Sequence, residues 1–298
     1  MLGAIFGDII GSTRELHNVK TEEFELFPPG SHFTDDTVMT VAVAEKLLNA
    51  NSGCNSRKAY ATRYKQYYSR YRNAGFGQMF SKWAESDTLR IQRSYGNGAA
   101  MRVTAIGYAF DDLKPLLKEV KASCYYTHHN REAIKGAKAV ATCVFLARKQ
   151  EDKDSIKRTI EKMYGYRFQP LDEIRRDYVF DSRASYSVPP ALEAFFESDS
   201  YESAIRKAIS IGGDSDTIAC ITGGIAEAYY REIPKEIATK GNLLIDSGLR
   251  RAVREFNEAM NVFDIFFCHS VHQLPFLPVH IRIGFPQFAL CVRDTAAA

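Results

Sequence analysis

Two short acidic turns, far apart in the chain, carry the residue types best suited to chemistry. The first is Thr34-Asp35-Asp36-Thr37, and the second is Gly212-Gly213-Asp214-Ser215-Asp216-Thr217. Each turn precedes an apolar stretch that is typical of a buried helix. If the turns met, their aspartates would repel one another unless a cation neutralised them. Oxygen ligands without a nearby Cys or His pair favour Mg²⁺ or Mn²⁺ over zinc.

Helix capping alone is the alternative interpretation of each turn. Ser, Thr and Asp side chains accept hydrogen bonds from the free N–H groups at a helix start, and negative charge is favoured there. Taken singly, either turn is explained as well by capping as by ion binding. Because both turns end in Asp-Thr, we favour a metal site, in which Ser215 is expected to point away.

The elements that must position these turns are helical. Helical rather than alternating periodicity predicts an all-α domain at residues 1–260. A first helix is expected over residues 5–10, and a helix over residues 57–72 has tyrosines along one face. Basic residues beside this face are compatible with a nucleic-acid surface, but an amphipathic core helix explains them better. Further helices are predicted at about residues 36–50, 99–110, 114–126, 131–149, 154–163, 189–197, 201–210, 217–231 and 234–259.

The last segment, residues 261–298, differs from the rest of the chain. It is rich in Phe, Val, Ile, Pro and His, and Val279-His280-Ile281-Arg282-Ile283 alternates like a strand. An added edge element, an interaction tail and a sequence foreign to the natural domain are equally compatible with it. We treat it as an atypical carboxy-terminal tail of undecided role.

The composition is that of an ordinary soluble protein, with 298 residues of which 45% are hydrophobic and 25% charged. A net charge of +3 is too small to argue for a nucleic-acid partner. The cysteines lack CxxC spacing, which indicates reduced thiols rather than a disulfide framework or a zinc finger. No secretory signal is recognisable, and no apolar run reaches the roughly 18 residues that span a bilayer. We therefore expect a cytoplasmic protein without a membrane partner, and a monomer as its simplest state.

Four blocks of the sequence together resemble the ADP-ribosylglycohydrolase family, which includes the dinitrogenase reductase-activating glycohydrolase and the ADP-ribosyl-acceptor hydrolases. The blocks are the two acidic turns, Gly7-Asp8-Ile9-Ile10-Gly11 with Glu15, and Ser94-Tyr95-Gly96-Asn97-Gly98-Ala99-Ala100-Met101-Arg102. They occur in order over about residues 1–235, and their combination is far more specific than any single block. The resemblance implies a compact orthogonal multi-helix bundle with a dinuclear site for two Mg²⁺ or Mn²⁺ ions. No stretch beyond about Glu258 aligns with the family.

The resemblance also implies roles for residues of the acidic blocks. The implied metal ligands are Thr34, Asp35, Asp36, Asp214, Asp216 and Thr217. Asp36 and Asp216 are the candidates for activating a water that attacks the anomeric carbon of ADP-ribose. Glu15 matches a loop glutamate that gates the site or assists proton transfer. A solvent-exposed glutamate without function is the alternative for Glu15.

The segment at residues 94–102 resembles the family's substrate loop, where small residues admit phosphates to backbone N–H groups. Tyr95 is expected to stack on the distal ribose or the adenine, and His128 matches a Thr-His motif that contacts a phosphate oxygen. An Asn-Gly turn and a capping or core histidine are the alternatives. Arg102 is equally compatible with a structural ion pair. The implied substrate-binding residues are Ser94, Tyr95, Gly96, Asn97, Gly98 and His128.

The implied activity is divalent-metal-dependent hydrolysis that releases ADP-ribose. The acceptor would be an arginine- or serine-linked protein, or a small ADP-ribosyl conjugate. A protein that binds ADP-ribose without turnover is one alternative. Mg²⁺-dependent phosphoryl or diphosphate hydrolysis is another, although no Gly-x-x-x-x-Gly-Lys-Ser/Thr loop supports a nucleotide triphosphatase. The sequence leaves the acceptor and the choice between Mg²⁺ and Mn²⁺ open.

Overall fold

A computed structural model describes residues 1–15, 17–49 and 55–262. These residues form fourteen α-helices and one 3₁₀ turn, with isolated β-bridges but no strand, so the all-α prediction is confirmed. The helices are α1 (Leu2–Gly11), α2 (Asp35–Leu48), α3 (Ser56–Arg70), α4 (Gln78–Glu85), α5 (Thr104–Ala109), α6 (Leu113–Cys124), α7 (Arg131–Arg148), α8 (Lys153–Tyr164), α9 (Leu171–Asp177), α10 (Ala184–Phe196), α11 (Tyr201–Ser210), α12 (Ser215–Tyr230), α13 (Lys235–Leu243) and α14 (Ser247–Ala259).

Helix α12 lies at the centre of the bundle. Its residues are buried from Ser215 to Ala228, and it packs against α1, α7, α10 and α11. Two glycines near its middle allow other helices to come close. A Cβ atom at Gly223 would lie 2.2 Å from the Gly3 carbonyl oxygen, and one at Gly224 would lie 2.4 Å from a side-chain atom of α5. The helix that begins at the second acidic turn is therefore enclosed on several sides.

The contact between α1 and α12 depends on glycines of α1. Gly3, Gly7 and Gly11 recur every four residues, so they lie on one face of the helix. A Cβ atom at Gly7 would lie 2.1 Å from the Ala219 carbonyl oxygen, and one at Gly11 would lie 2.6 Å from Asp216 Cα. No side chain fits at either position, and the two backbones touch. The end of α1 consequently lies against the start of α12.

The tyrosine face of α3 points into the core. Tyr60, Tyr64, Tyr67 and Tyr68 are all buried, so the core-helix interpretation is confirmed over the nucleic-acid surface. The basic residues of α3 lie at the edge of this face, as Lys65 does when it donates hydrogen bonds to the carbonyl oxygens that end α4. The tyrosine side chains of α3 are therefore part of the hydrophobic core.

Several predicted helix boundaries are wrong. The helix expected over residues 99–110 begins only at Thr104, because residues 97–99 form the 3₁₀ turn. The helix expected over residues 234–259 is two helices, since Asp246 accepts hydrogen bonds from the N–H groups of two following residues and caps α14. Helix α10 begins at Ala184, ahead of the two prolines expected near its start. Helices α4 and α9 were not predicted.

Three other expectations have partial outcomes. No helix in the described part of the chain is long and apolar enough to cross a membrane. Cys124, Cys143 and Cys220 are buried free thiols, and the remaining cysteines fall outside the described ranges. The tail at residues 261–298, with its predicted strand, lies beyond the description except for its first two residues. The domain boundary at residue 260 thus stays a prediction.

Candidate metal centre and substrate loop

The two acidic turns meet where α2 and α12 begin. The Thr217 hydroxyl donates a hydrogen bond of 3.1 Å to Asp36 Oδ2, which joins residues 181 positions apart in the sequence. Asp36 and Asp216 are buried, and Asp35 is half-buried. The structure therefore brings together the two sets of residues that the sequence assigned to one site.

The first turn is fixed by Asp8 on α1. The Asp8 carboxylate accepts hydrogen bonds from the backbone N–H groups of Thr34 and Thr37, at 2.9 and 3.1 Å, and from both threonine hydroxyls. Thr34 also caps α2 by accepting a hydrogen bond from the Asp36 N–H. Asp8 is fully buried, and these donors replace the water that its carboxylate loses. Sequence reasoning gave Asp8 no role, although an aspartate inside an apolar helix was a usable signal.

The second turn is held in another way. Gly212 and Gly213 have φ angles of +78° and +74°, a left-handed backbone that favours glycine. Asp214 occupies the N-cap position of α12 but makes no capping hydrogen bond. Its Oδ2 atom instead accepts a hydrogen bond of 2.8 Å from Asn97 Nδ2. Capping explains part of what Thr34 does in the first turn, but it does not explain Asp214.

Ser215 is directed away from the aspartates, as predicted. Its hydroxyl donates a hydrogen bond of 3.3 Å to the Gly11 carbonyl oxygen at the end of α1. Asp216 Oδ1, in contrast, accepts a hydrogen bond of 2.9 Å from the Thr217 N–H, and its carboxylate stays in the cluster. In this turn Ser215 therefore contributes to helix packing, while Asp214 and Asp216 on either side of it belong to the acidic cluster.

Glu15 lies beside the second turn. One carboxylate oxygen from each of Glu15, Asp214 and Asp216 lies within 4.8 Å of the other two. The segment that follows Glu15 is fastened to the protein by two side chains. Asn18 accepts a hydrogen bond from the Gly213 N–H, and Lys20 Nζ donates to the carbonyl oxygens of residues 178 and 211 at 2.7 and 2.6 Å. Glu15, predicted to gate or catalyse, is therefore also placed among potential ligands.

The clustered carboxylates raise one another's pKa values. Burial, followed by repulsion from Asp8 and Asp214, raises the pKa of Asp35 to about 8. Burial and the neighbouring aspartates raise the pKa values of Asp36 and Asp216 well above their ordinary range. Such groups resist ionisation together in the absence of a positive charge.

The donor set fits a divalent cation that prefers oxygen. Asp36 Oδ1 is buried and has no hydrogen-bond partner within the described residues. An orphaned buried carboxylate oxygen is costly unless a donor or a cation reaches it. The surrounding groups are carboxylates and threonine hydroxyls, which are ligands of Mg²⁺ and Mn²⁺ rather than of softer metals.

The predicted substrate loop borders the second turn. Besides its bond to Asp214, Asn97 donates from Nδ2 to Ser187 Oγ at 3.0 Å and from its backbone N–H to the Ser182 carbonyl oxygen at 2.8 Å. The Ser94 hydroxyl accepts a hydrogen bond from the Gly96 N–H within the loop. Tyr95 is 59% exposed. The loop thus contacts the acidic cluster through Asn97 and presents Tyr95 to solvent.

His128 lies against the same loop. A Cβ atom at Gly98 would lie 3.2 Å from His128 Nε2. Burial, and then the nearby Arg102, hold the pKa of His128 well below its usual range, so the imidazole is neutral. Arg102 is buried and donates hydrogen bonds to Ser123 O and Thr127 Oγ1. Its role is structural, through neutral oxygen acceptors rather than the ion pair considered from the sequence.

Comparison with known proteins places most of the chain in one family. A sequence model described as ADP-ribosylglycohydrolase matches residues 1–261. The chain belongs to the ADP-ribosylglycohydrolase family. The resemblance seen in the sequence is thereby confirmed, and with it the predicted enzyme class, a glycosidic-bond hydrolase.

Individual relatives of this ADP-ribosylglycohydrolase agree with the family assignment. The chain is 27% identical to "ADP-ribosylhydrolase ARH3" of Homo sapiens, with 77% of this chain and 84% of the relative covered. It is 28% identical to the protein of the same name from Gallus gallus, with 78% and 84% covered. A solved "ADP-ribosylglycohydrolase-related protein complex" has a TM-score of 0.60 and 25% identity, covering 88% of this chain and 93% of that one. The all-α fold is therefore shared with the family.

Proposed function

We propose that this enzyme uses divalent ions to hydrolyse the glycosidic bond between ADP-ribose and an acceptor, releasing ADP-ribose. The proposal depends on the hydrogen bond between Thr217 and Asp36, because it places both acidic turns at one site. The grouping of Glu15, Asp214 and Asp216 supports it. The proposed acceptor is an arginine- or serine-linked protein or a small ADP-ribosyl conjugate. We also propose that the protein is cytoplasmic and, as the simplest state, a monomer.

Two Mg²⁺ or Mn²⁺ ions are proposed to bind between the turns. Bound there, divalent ions would supply Lewis acidity towards oxygen atoms of the ribose and of water. Glu15 joins the candidate ligands because of its distance from Asp214 and Asp216. The other proposed ligands are those that the resemblance implied, Thr34, Asp35, Asp36, Asp214, Asp216 and Thr217.

The carboxylates of the chain are proposed to carry the proton transfers. Asp36 and Asp216 would orient the attacking water and accept its proton. Their negative charge would also stabilise the positive charge that develops on the ribose ring as the bond breaks. Partial burial, and then Asp214, raise the pKa of Glu15. When Glu15 does not coordinate an ion, this raised pKa suits it to hold a proton and deliver it to the leaving acceptor.

The substrate loop is proposed to bind the remainder of ADP-ribose. Gly96 and Gly98 leave the backbone open to the phosphates. The exposed ring of Tyr95 offers a stacking surface for the adenine or the distal ribose. The Asn97 side chain links this loop directly to Asp214. Binding of the phosphates and placement of the reacting ribose would thus depend on the same loop.

Mass spectrometry of ADP-ribose release tests the proposal. Peptides carrying arginine- or serine-linked ADP-ribose, and O-acetyl-ADP-ribose, would be incubated with the enzyme in Mg²⁺, Mn²⁺ or EDTA. We expect free ADP-ribose from at least one substrate with metal and none in EDTA. Release of inorganic phosphate instead would favour phosphoryl chemistry. Binding of ADP-ribose in calorimetry without release from any substrate would favour a protein that only binds it.

A further inference from the structure

A buried chain of hydrogen bonds ends at His128. Arg102 Nη2 donates to Thr127 Oγ1 at 2.8 Å, and Thr127 Oγ1 lies 2.9 Å from His128 Nδ1. Arg102 and Thr127 are each 1% exposed, and His128 is 6% exposed. Because water has little access to Thr127, its hydroxyl is expected to find both its donor and its acceptor within the protein.

The position of the hydroxyl hydrogen follows from the donors available. Arg102 can only donate, so the Thr127 oxygen must accept its hydrogen bond. If the Thr127 oxygen also accepted a bond from Nδ1–H, its own hydrogen would have no acceptor among the described residues. If the hydroxyl donates to Nδ1, both the Thr127 oxygen and its hydrogen have a partner. A neutral imidazole then carries its hydrogen on Nε2.

We infer that Arg102 and Thr127 are positioning residues that hold His128 as the Nε2–H tautomer, so that a hydrogen-bond donor faces the turn at residues 96–98. Nε2 lies 3.2 Å from the place of a Cβ atom at Gly98 and 3.9 Å from that at Gly96. Within the described residues, Nε2 has no hydrogen-bond partner of its own. It is therefore free to donate to an anion bound on the turn.

The guanidinium of Arg102 is itself held in place by α3. It lies 4.2 Å from the centre of the Tyr64 ring, within the range of a cation–π contact. The Ser123 carbonyl oxygen accepts hydrogen bonds from both Arg102 Nη2 and the Tyr64 hydroxyl, each at 3.2 Å. The core tyrosine face thus determines, through Arg102 and Thr127, which imidazole nitrogen carries the hydrogen.

The ligand for this donor is the diphosphate of ADP-ribose, and this part of the inference rests on the proposed function. The tautomer itself does not depend on it. Asn97, between the two glycines that His128 faces, holds the same turn against Asp214, so a ligand that reaches from the acidic cluster to the turn comes close to His128. A neutral Nε2–H supplies a directed hydrogen bond without adding a charge.

Nitrogen-15 NMR of the full chain, labelled at histidine, tests the tautomer without any ligand. Two-bond proton–nitrogen correlations distinguish Nε2–H from Nδ1–H in a neutral ring, and His128→Gln identifies the His128 signals by their loss. We expect Nε2–H. A ring protonated on Nδ1 would overturn the inference. If His128→Gln fails to fold, the shift that Thr127→Val or Thr127→Ser causes in one ring identifies the His128 signals instead.

Thr127→Val tests the role in binding, with Thr127→Ser as the matched control that keeps the hydroxyl. For Thr127→Val we expect His128 to populate Nδ1–H, and calorimetry with Mg²⁺ to show an ADP-ribose Kd raised about tenfold, as for one lost hydrogen bond to a charged group. KM should rise while kcat changes little, because the bond is made equally in the ground state and the transition state.

Thr127→Ser should restore the wild-type tautomer and affinity. Wild-type affinity in Thr127→Val, or equal losses in the two variants, would contradict the positioning role. Failure of the proposed function has a different signature, since the wild-type enzyme would then release no ADP-ribose while its tautomer stayed Nε2–H.

Discussion

The two acidic turns have similar sequences but are anchored in opposite ways. The first is capped by Thr34 and held by the buried Asp8 of α1, so its position depends on the core. The second uses a left-handed glycine pair, and its Asp214 and Gly213 are bound by side chains from two loops, Asn97 and Asn18. The comparison teaches that one half of the site is part of the scaffold, while the other half is connected to segments that are proposed to border the substrate.

Removing Asp36, the aspartate of the first turn that bonds to Thr217 of the second, should have the largest effect on activity. Asp36→Ala is expected to lower kcat/KM by at least about a thousandfold, since it deletes a proposed metal ligand and a proposed base. The same change relieves repulsion in the cluster, so the melting temperature of the metal-free protein should not fall. ADP-ribose release and thermal unfolding measure the two effects. Asp111→Ala, at an aspartate whose side chain is 94% exposed, is the control, and full activity in Asp36→Ala would contradict the site.

Removing the anchor of the first turn should damage folding as well as activity. Asp8→Ala leaves buried donors of Thr34 and Thr37 without their acceptor, and we expect it to lower the free energy of unfolding by about 3 kcal/mol. Urea unfolding of the metal-free protein is the measurement. Asp36→Ala is the matched control, because it removes a buried carboxylate that accepts the Thr217 hydroxyl bond but no backbone N–H bond in the described residues. Equal stability of the two variants would erase the distinction between scaffold and site.

Removing the anchor of the second turn should affect catalysis before stability. Asn97→Ala deletes the bond to Asp214, and we expect kcat to fall about ten- to a hundredfold with less than about 1 kcal/mol lost from the free energy of unfolding. Ser187→Ala removes the other acceptor of the Asn97 amide and the bond of the Ser187 hydroxyl to the Arg183 carbonyl oxygen, but it leaves the bond to Asp214 and should have a much smaller effect on kcat. A large loss of stability with normal kcat in Asn97→Ala would assign this loop to the scaffold too.

The smallest expected effect is on the pH dependence of stability. Because the pKa of Asp35 is raised from 3.8 to about 8, the folded metal-free protein binds more protons than the unfolded chain between these values. The Asp35 contribution to the free energy of unfolding should therefore fall as the pH rises from about 4 to 8, and the raised pKa values of Asp36 and Asp216 act in the same direction. Calorimetric melting across this range, with and without Mg²⁺, measures the trend. Added Mg²⁺ should stabilise the protein most at the alkaline end, where its ligands are deprotonated. A metal-free curve that rises with pH would contradict this.

The helices and the acidic turns were predictable because their signals are local. Periodicity marks a helix within its own residues, and Asp-Thr after a turn marks an oxygen-rich helix start. The break before α14 was also signalled, since Asp246 is a good N-cap, but continuous helical propensity outweighed it in the prediction.

The anchors of the site were harder to predict because they join distant parts of the chain. Lys20 donates to carbonyl oxygens 158 and 191 positions away, and backbone acceptors leave no trace in residue type. Asn97 was assigned to the substrate loop, but nothing in its neighbours indicates that it faces Asp214. The hydrogen-bonded chain from Arg102 through Thr127 to His128 likewise forms only in the folded protein, since α5 and α6 separate Arg102 from the other two residues in the sequence.

The glycine contact between α1 and α12 has a consequence for inherited variation. One added methyl group at Gly7 would meet the Ala219 carbonyl oxygen and push apart the helices that carry Asp8 and Asp216. The distance between the proposed ion-binding residues of the two turns would increase although none of those residues had changed. A random-mutagenesis screen for inactive variants should therefore recover substitutions at Gly3, Gly7 and Gly11 as well as at the aspartates of the two turns.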